Sequence, residues 1–330
     1  MKTFVNLNHK KIIGIFLAIF ILIAPSSYLY AKEKKEGDLI IRTINVHHGA
    51  ADYLLRLRGI AQELHRDYPD QIGLIGIQEL ARGRMTDCLR GELYDNGAKC
   101  LAAELTFLYG QKAEARISKK DWWKNIQEGL GVIVDDNWKI IDTKSWSIGN
   151  NRALLEVFLE HKTKGCKLRF YNTHFSSNVD VKWYQKLWYG HKSSRDEGEK
   201  RRSAQASKVI RIVTERAKPG ELPPVVVGDF NAGRNFVTGR AEASVQKMEE
   251  HFWQPLDNFS NSCTGYTVRD LIYIGKKESF PDSRGRFQLV KWHRVQMHRK
   301  PLVVNGRRLD ELTDHNAEGF SFNILITPNK

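Results

Sequence analysis

Asp229 and Asn231 stand just beyond a run of three valines, Val225–Val227, and Gly228. The valines read as a short strand buried on both faces, and residues two apart in extended chain point to one side. A carboxylate and a carboxamide therefore project together from the carboxyl end of a buried strand, where α/β sheets hold their ligands. An Asx turn closing a strand would account for such a pair alone. The pattern recurs, however. Asn45, Glu79, Asn172 with His174, Asp270, and Asp314 with His315 all stand at the ends of apolar runs. Carboxylate and amide oxygens without thiolate suit a hard cation such as Mg2+. Two histidines beside carboxylates suit proton transfer, each imidazole oriented by an acid.

These side chains need strands to carry them. Leu39, Ile40, Ile41 and Ile44 make Asp38–Asn45 a first strand. Apolar residues at 54, 55, 57, 60, 61 and 64 give Asp52–Tyr68 helical spacing, closed by Pro69. Ile72–Ile77 is a second strand that runs into Gln78-Glu79, so the segment is an α/β unit. Lys99–Leu108, Lys200–Ala217 and Glu242–Trp253 read as helices. Leu130–Val134 and Lys139–Asp142 read as neighbouring strands turning at Asp135-Asp136-Asn137. Ala153–Glu160 and Lys167–Asn172 read as a second pair, and Tyr266–Ile274 and Phe320–Ile326 as further strands. No internal repeat is visible.

The 330 residues carry a formal net charge of +14. That balance favours a polyanion such as nucleic acid, or an anionic membrane surface; an idle basic surface is the plain alternative. Lys2, Lys10 and Lys11 precede the apolar run Ile12–Ala24, which is too short to span a bilayer comfortably and fits a signal-peptide core. Residues 1–31 are therefore expected to be a signal peptide ending at Ala31, 32–37 a linker and 38–330 one domain. An uncleaved anchor at residues 12–24 is the alternative. The first 31 residues hold three lysines and no acid, leaving +11 after cleavage. Export permits disulfides. Among Cys88, Cys100, Cys166 and Cys263 the preferred pair is Cys88–Cys100, which closes a short polar segment. No Cys/His spacing suggests zinc.

Asn45, Gln78-Glu79, Asn172-Thr173-His174, Gly228-Asp229-Phe230-Asn231, Asp270 and Thr313-Asp314-His315 occur in the order seen in the endonuclease/exonuclease/phosphatase superfamily. The chain resembles that family over about residues 38–326, and more particularly its deoxyribonuclease I-like members. The resemblance implies a four-layer α/β sandwich, two packed mixed β-sheets flanked by helices. It implies a metal-dependent phosphoric ester hydrolase using Mg2+ or Mn2+, with Ca2+ as a possible structural ion. Glu79 resembles the metal-binding Glu, with Asn45 beside it and Asp314 completing the metal or phosphate environment. Asp229 and Asn231 resemble the pair that holds the attacking water and the scissile phosphate. His315 resembles the general base, oriented by Asp270, and His174 the second catalytic or phosphate-binding His. Asn172 and Arg152 are the expected substrate-binding residues, and Glu128 the expected acid partner of His174.

Lys182-Trp183-Tyr184, Trp188-Tyr189, Arg195 and Lys200-Arg201-Arg202 interleave aromatic and basic residues, and the run Arg284–Lys300 adds six more cations without an acid. Such stretches suit nucleic acid by stacking and charge. They also suit docking at an anionic or zwitterionic lipid interface, and packing inward of an ordinary insertion. No protein partner is evident. The expectation is an exported divalent-metal-dependent phosphodiesterase, a nuclease cleaving DNA or RNA. A lipid-directed phosphodiesterase or phosphatase of the same family is the first alternative, and a non-catalytic binding protein on this fold the second.

Overall fold

Val225 and Val227 point one way and Val226 the other, and both sides are covered. That double burial is why the run is continuously apolar. The computed structural model describes residues 37–47, 52–88, 92–118, 128–177, 183–233, 240–255, 269–295, 297, 301–313 and 315–326, without the side chains of 82–95, 128, 183–195 and 293–294. The expected signal peptide, Asp314, the Glu128 side chain and the Lys182–Arg195 side chains lie outside the described residues.

In chain order the elements are β1 (Leu39–Asn45), α1 (Tyr53–Asp67), β2 (Leu74–Cys88), β3 (Glu92–Asn96), α2 (Gly97–Tyr109), β4 (Ala113–Ile117), β5 (Glu128–Asp135), β6 (Trp138–Gly149), β7 (Arg152–His161) and β8 (Lys167–His174). Then come α3 (Trp183–Arg216), β9 (Val225–Asp229), α4 (Ala243–His251), β10 (Phe252–Trp253), β11 (Asp270–Gly275), β12 (Arg286–Val295), the hairpin β13 (Leu302–Val304) and β14 (Arg307–Leu309), and β15 (Ala317–Leu325). One sheet runs β12-β15-β1-β2-β5-β4, with β3 paired to β2; the other runs β10-β11-β9-β8-β7-β6. Each contains one parallel pair, β1 with β2 and β8 with β9, and antiparallel neighbours outside it. The connections inside those pairs contain α1 and α3 respectively, as a parallel pair requires a crossover.

Three apolar layers hold these elements together. Leu39, Ile41 and Leu74 of the first sheet meet Val157, Phe170, Val225 and Val227 of the second. Alternate residues of the first sheet, such as Ile75 and Ile77, pack with α1 and α2 through Ile60, Leu64 and Leu101. Tyr171, Val226 and Tyr273 of the second sheet pack with α3 and α4 through Val209, Val213 and Met248. The fold is thus the expected four-layer α/β sandwich.

Several local readings change. β5 and β6 follow one another through the Asp136-Asn137 turn, but they do not pair: β5 lies in the first sheet and β6 in the second. Asp135 fixes this crossing, accepting bonds from the backbone N–H groups of Gly73 and Asn137 at 3.0 Å each. The helix expected at Lys200 begins at Trp183, and that expected to reach Trp253 stops at His251, where β10 begins. Cys100 and Cys166 are buried, and the preferred Cys88–Cys100 bridge involves the Cys88 side chain, which lies outside the described residues.

Candidate active site

Strand register assembles the first part of the site. On three adjacent strands, His174 of β8 lies opposite Asp229 of β9, and Asp229 lies opposite Asp270 of β11. In the first sheet Asn45 of β1 lies opposite Gln78 of β2, with Glu79 next along β2. The two sheets meet at Asn45, whose Nδ2 donates to Glu79 Oε1 at 2.9 Å and to Asp229 Oδ2 at 3.1 Å. The loop before β15 enters from the first sheet: Thr313 Oγ1 donates to Asn45 O at 2.7 Å, and His315 follows two residues later.

The backbone at these ends is unusual. Glu79 and Asn231 have φ of 55° and 48°, in the left-handed region that residues other than glycine adopt uncommonly. Gly228 has φ of 152°, and a Cβ there would stand 2.0 Å from Thr173 O. Only glycine lets β9 approach β8 closely enough for the His174–Asp229 pairing.

The two histidines face the same carboxylate. His174 Nε2 is 3.6 Å and His315 Nε2 is 3.8 Å from Asp229 Oδ2; His174 Nε2 is also 3.9 Å from Glu79 Oε1. Their other ring nitrogens have opposite partners. His315 Nδ1 is 2.6 Å from Asp270 Oδ2, whereas His174 Nδ1 is 3.0 Å from Arg152 Nη1. An ionised carboxylate accepts and a guanidinium only donates. His315 therefore donates from Nδ1 to Asp270, and His174 accepts at Nδ1 and carries its proton on Nε2.

Asp229 is 2% exposed. Burial, then the neighbouring Asp270 charge, push its carboxyl up to about 6, against the pull of His315 and of bonds from Asn231 and Asn45. Asp270 Oδ1 is buried with no hydrogen-bond partner. Asp229, Asp270 and His315 offer ligand atoms within 4.8 Å of one another. Crowded acids and hard oxygen donors of this kind suit a divalent cation, so the residues fit the expected metal.

Other expected site residues are placed differently. Asn172 is fully buried: its Nδ2 donates to Ile77 O and Gly131 O at 2.8 and 2.7 Å, and its Oδ1 accepts from Gln78 Nε2 at 2.6 Å. It staples the two sheets together, with both ends of its amide engaged inside the sandwich. Arg152 is 8% exposed and turned to His174, so it acts on the histidine rather than presenting an open phosphate contact. Glu128, the expected acid partner of His174, has its side chain outside the described residues. Asn231 Nδ2 donates to Phe175 O at 3.0 Å, and its N–H donates to Asp229 Oδ1 at 2.8 Å.

No protein-family model and no curated protein sequence matches the chain. Solved structures do match. An endonuclease/exonuclease/phosphatase family protein from Bacteroides thetaiotaomicron aligns over 88% of this chain and 98% of its own, with a TM-score of 0.58 at 13% identity. The chain has the endonuclease/exonuclease/phosphatase fold. A mannosyl-6-phosphatase from Bacteroides thetaiotaomicron shares that fold over 86% of this chain and 99% of its own, with a TM-score of 0.55 at 13% identity. The human Nocturnin catalytic domain with bound sulfate shares it over 86% and 93%, with a TM-score of 0.54 at 14% identity.

On this endonuclease/exonuclease/phosphatase fold the sequence reading missed the residues behind the site. Arg202 was grouped with a basic stretch suited to nucleic acid, yet it is fully buried and bonded to Glu242. Its neighbour Gln205, also fully buried, was not singled out at all. Their spacing of three on one helix was the available signal, because positions three apart share a helix face.

Proposed function

We propose that the chain is a divalent-cation-dependent phosphoesterase acting on nucleic-acid phosphodiesters. The observation that carries this reading is the convergence of two histidine Nε2 atoms on Asp229, with Asp270 behind His315 and Arg152 behind His174. Phosphodiester hydrolysis needs a water relieved of its proton and a proton or charge for the developing oxyanion. His315, held through Nδ1 by Asp270, presents the base. His174, held through Nδ1 by Arg152, presents a fixed N–H donor to a phosphoryl or leaving oxygen. Asp229 and Asn231 orient the water between them. Glu79 and Asp229, whose carboxylates are bridged by the Asn45 amide, would hold Mg2+ or Mn2+, and a bound cation supplies neutralisation of phosphate charge.

The net charge of +14, or +11 without residues 1–31, supports a polyanionic substrate. Export through cleavage after Ala31 belongs to the same reading, and amino-terminal sequencing of exported protein checks it: an intact Met1 would overturn it. The substrate is tested by offering the purified protein plasmid DNA, RNA, sphingomyelin, phosphoinositides and a hexose 6-phosphate, with Mg2+ and with EDTA. Cation-dependent cleavage of DNA or RNA is expected. Turnover confined to a lipid or to the sugar phosphate would overturn the nucleic-acid assignment.

A further inference from the structure

The two residues after His174 are held from outside their own strand. Phe175 N–H donates to Asp229 O at 2.8 Å, and Phe175 O accepts from Asn231. Ser176 is gripped by α3. Its N–H donates to Gln205 Oε1 at 3.0 Å, its Oγ accepts from Gln205 Nε2 at 3.0 Å, and its carbonyl accepts from Arg202 Nη1 at 3.2 Å. Gln205 Nε2 also reaches Gly149 O at 3.2 Å, in the turn that leads to Arg152. Arg202 is fixed in turn by Glu242 Oε2, at 3.0 Å from Nε and 2.8 Å from Nη2. One buried turn of α3 therefore ties the loop that follows His174 to the turn that precedes Arg152.

We propose that Gln205 and Arg202 are positioning residues for the Arg152–His174 pair. The 3.0 Å contact between Arg152 and His174 joins the start of β7 to the end of β8, and Gln205 holds the residue before the turn into β7, Gly149, and the loop residue after β8, Ser176. Loosening the attachment lets the two ends move independently. The His174 ring then loses its fixed direction towards Asp229 and its single protonation form. Glu242 acts at one remove, by holding Arg202. The kinetic part of this inference rests on His174 serving the proposed reaction; the geometric part does not.

The test uses Gln205→Leu, which keeps side-chain size and removes all three polar contacts, and Gln205→Glu, which keeps an acceptor for Ser176 N–H. Arg202→Met is a third variant, and because it strands Glu242 it is interpreted only if it folds. Urea unfolding, kcat and KM on the cleaved substrate, and nitrogen NMR shifts of the His174 ring are measured on each. The expected result for Gln205→Leu is a kcat lower by about ten- to a hundred-fold in folded protein, since small displacements near the chemistry cost that much. KM stays unchanged, Gln205→Glu recovers part of the rate, and the His174 shifts move from one protonation form towards an average of two. A role confined to stability would lower the urea midpoint and leave both kcat and the ring shifts at their wild-type values; that result overturns the proposal. If the wild-type protein hydrolyses none of the substrates, the proposed function fails, and the ring shifts alone decide the positioning role.

Discussion

His174 and His315 reach one carboxylate oxygen with opposite ring nitrogens protonated, and Arg152 and Asp270 impose that difference. Replacing His315 by Ala should lower the hydrolytic rate by about a hundred- to ten-thousand-fold, the usual worth of a positioned acid–base group, in a protein that still unfolds cooperatively. A folded variant with near wild-type turnover would remove His315 from the chemistry. Asp229 supplies a second expectation. Its folded carboxyl is raised from 3.8 to about 6, so the fold favours the protonated form. That contribution to stability is full below about pH 4 and is lost as pH rises through about 6. In EDTA, Asp229→Asn should therefore flatten the fall in urea midpoint across that window and gain stability relative to wild type above it. A wild-type midpoint that rises from pH 4 to 6 with the same slope in the variant would contradict this. At this scale the sequence made most of the polar cluster legible, because Asp229, Asn231, His174 and His315 each follow or precede an apolar run. It could not separate Asn172, two residues before His174 and on the same strand face. His174 stands at the strand's end, whereas Asn172 lies under the opposite sheet, and only the packing of sheet on sheet distinguishes them.

Between the elements, the inter-sheet staple is the most exposed to a single change. Asn172→Leu would remove the buried bonds to the carbonyls of Ile77 and Gly131 and one of the two bonds of the Gln78 amide nitrogen, which keeps Thr43 Oγ1. Each buried group left unsatisfied costs roughly 1–3 kcal/mol. The urea midpoint should fall accordingly, while an unchanged midpoint would show that the sheets do not depend on the staple. The elements were legible where period and burial agree. β1, α1 and the β7–β8 hairpin stand close to where apolar spacing puts them. The β5–β6 turn was misread because a tight polar turn has the same composition whether its strands pair or part. The first half of α3 was misread because its aromatic and basic residues follow no apolar stripe.

For the whole molecule the relevant quantity is charge. A nucleic-acid ligand neutralised at six to ten phosphates should bind about a thousand- to a hundred-thousand-fold more weakly at 200 mM than at 50 mM salt. Arg202 cannot contribute, being buried against Glu242. Arg286 and Lys291 on the edge strand β12 are exposed, and reversing both should weaken binding of His315→Ala to duplex and reduce the salt slope. Salt-independent binding, or tight partition onto zwitterionic vesicles instead, would point to the lipid alternative. Among the described residues no helix is long and apolar enough to cross a membrane.

The central claim is that the two histidines and Asp229 hydrolyse phosphodiesters with a divalent cation. Single-turnover cleavage of a labelled nucleic-acid strand by wild type, His315→Ala and His174→Ala, each with Mg2+ and with EDTA, tests it most directly. The account predicts cleavage by wild type with Mg2+ alone, abolished by EDTA and lowered by about a hundred-fold or more in each variant. Equal cleavage by wild type and both folded variants, or cleavage that persists undiminished in EDTA, would contradict it.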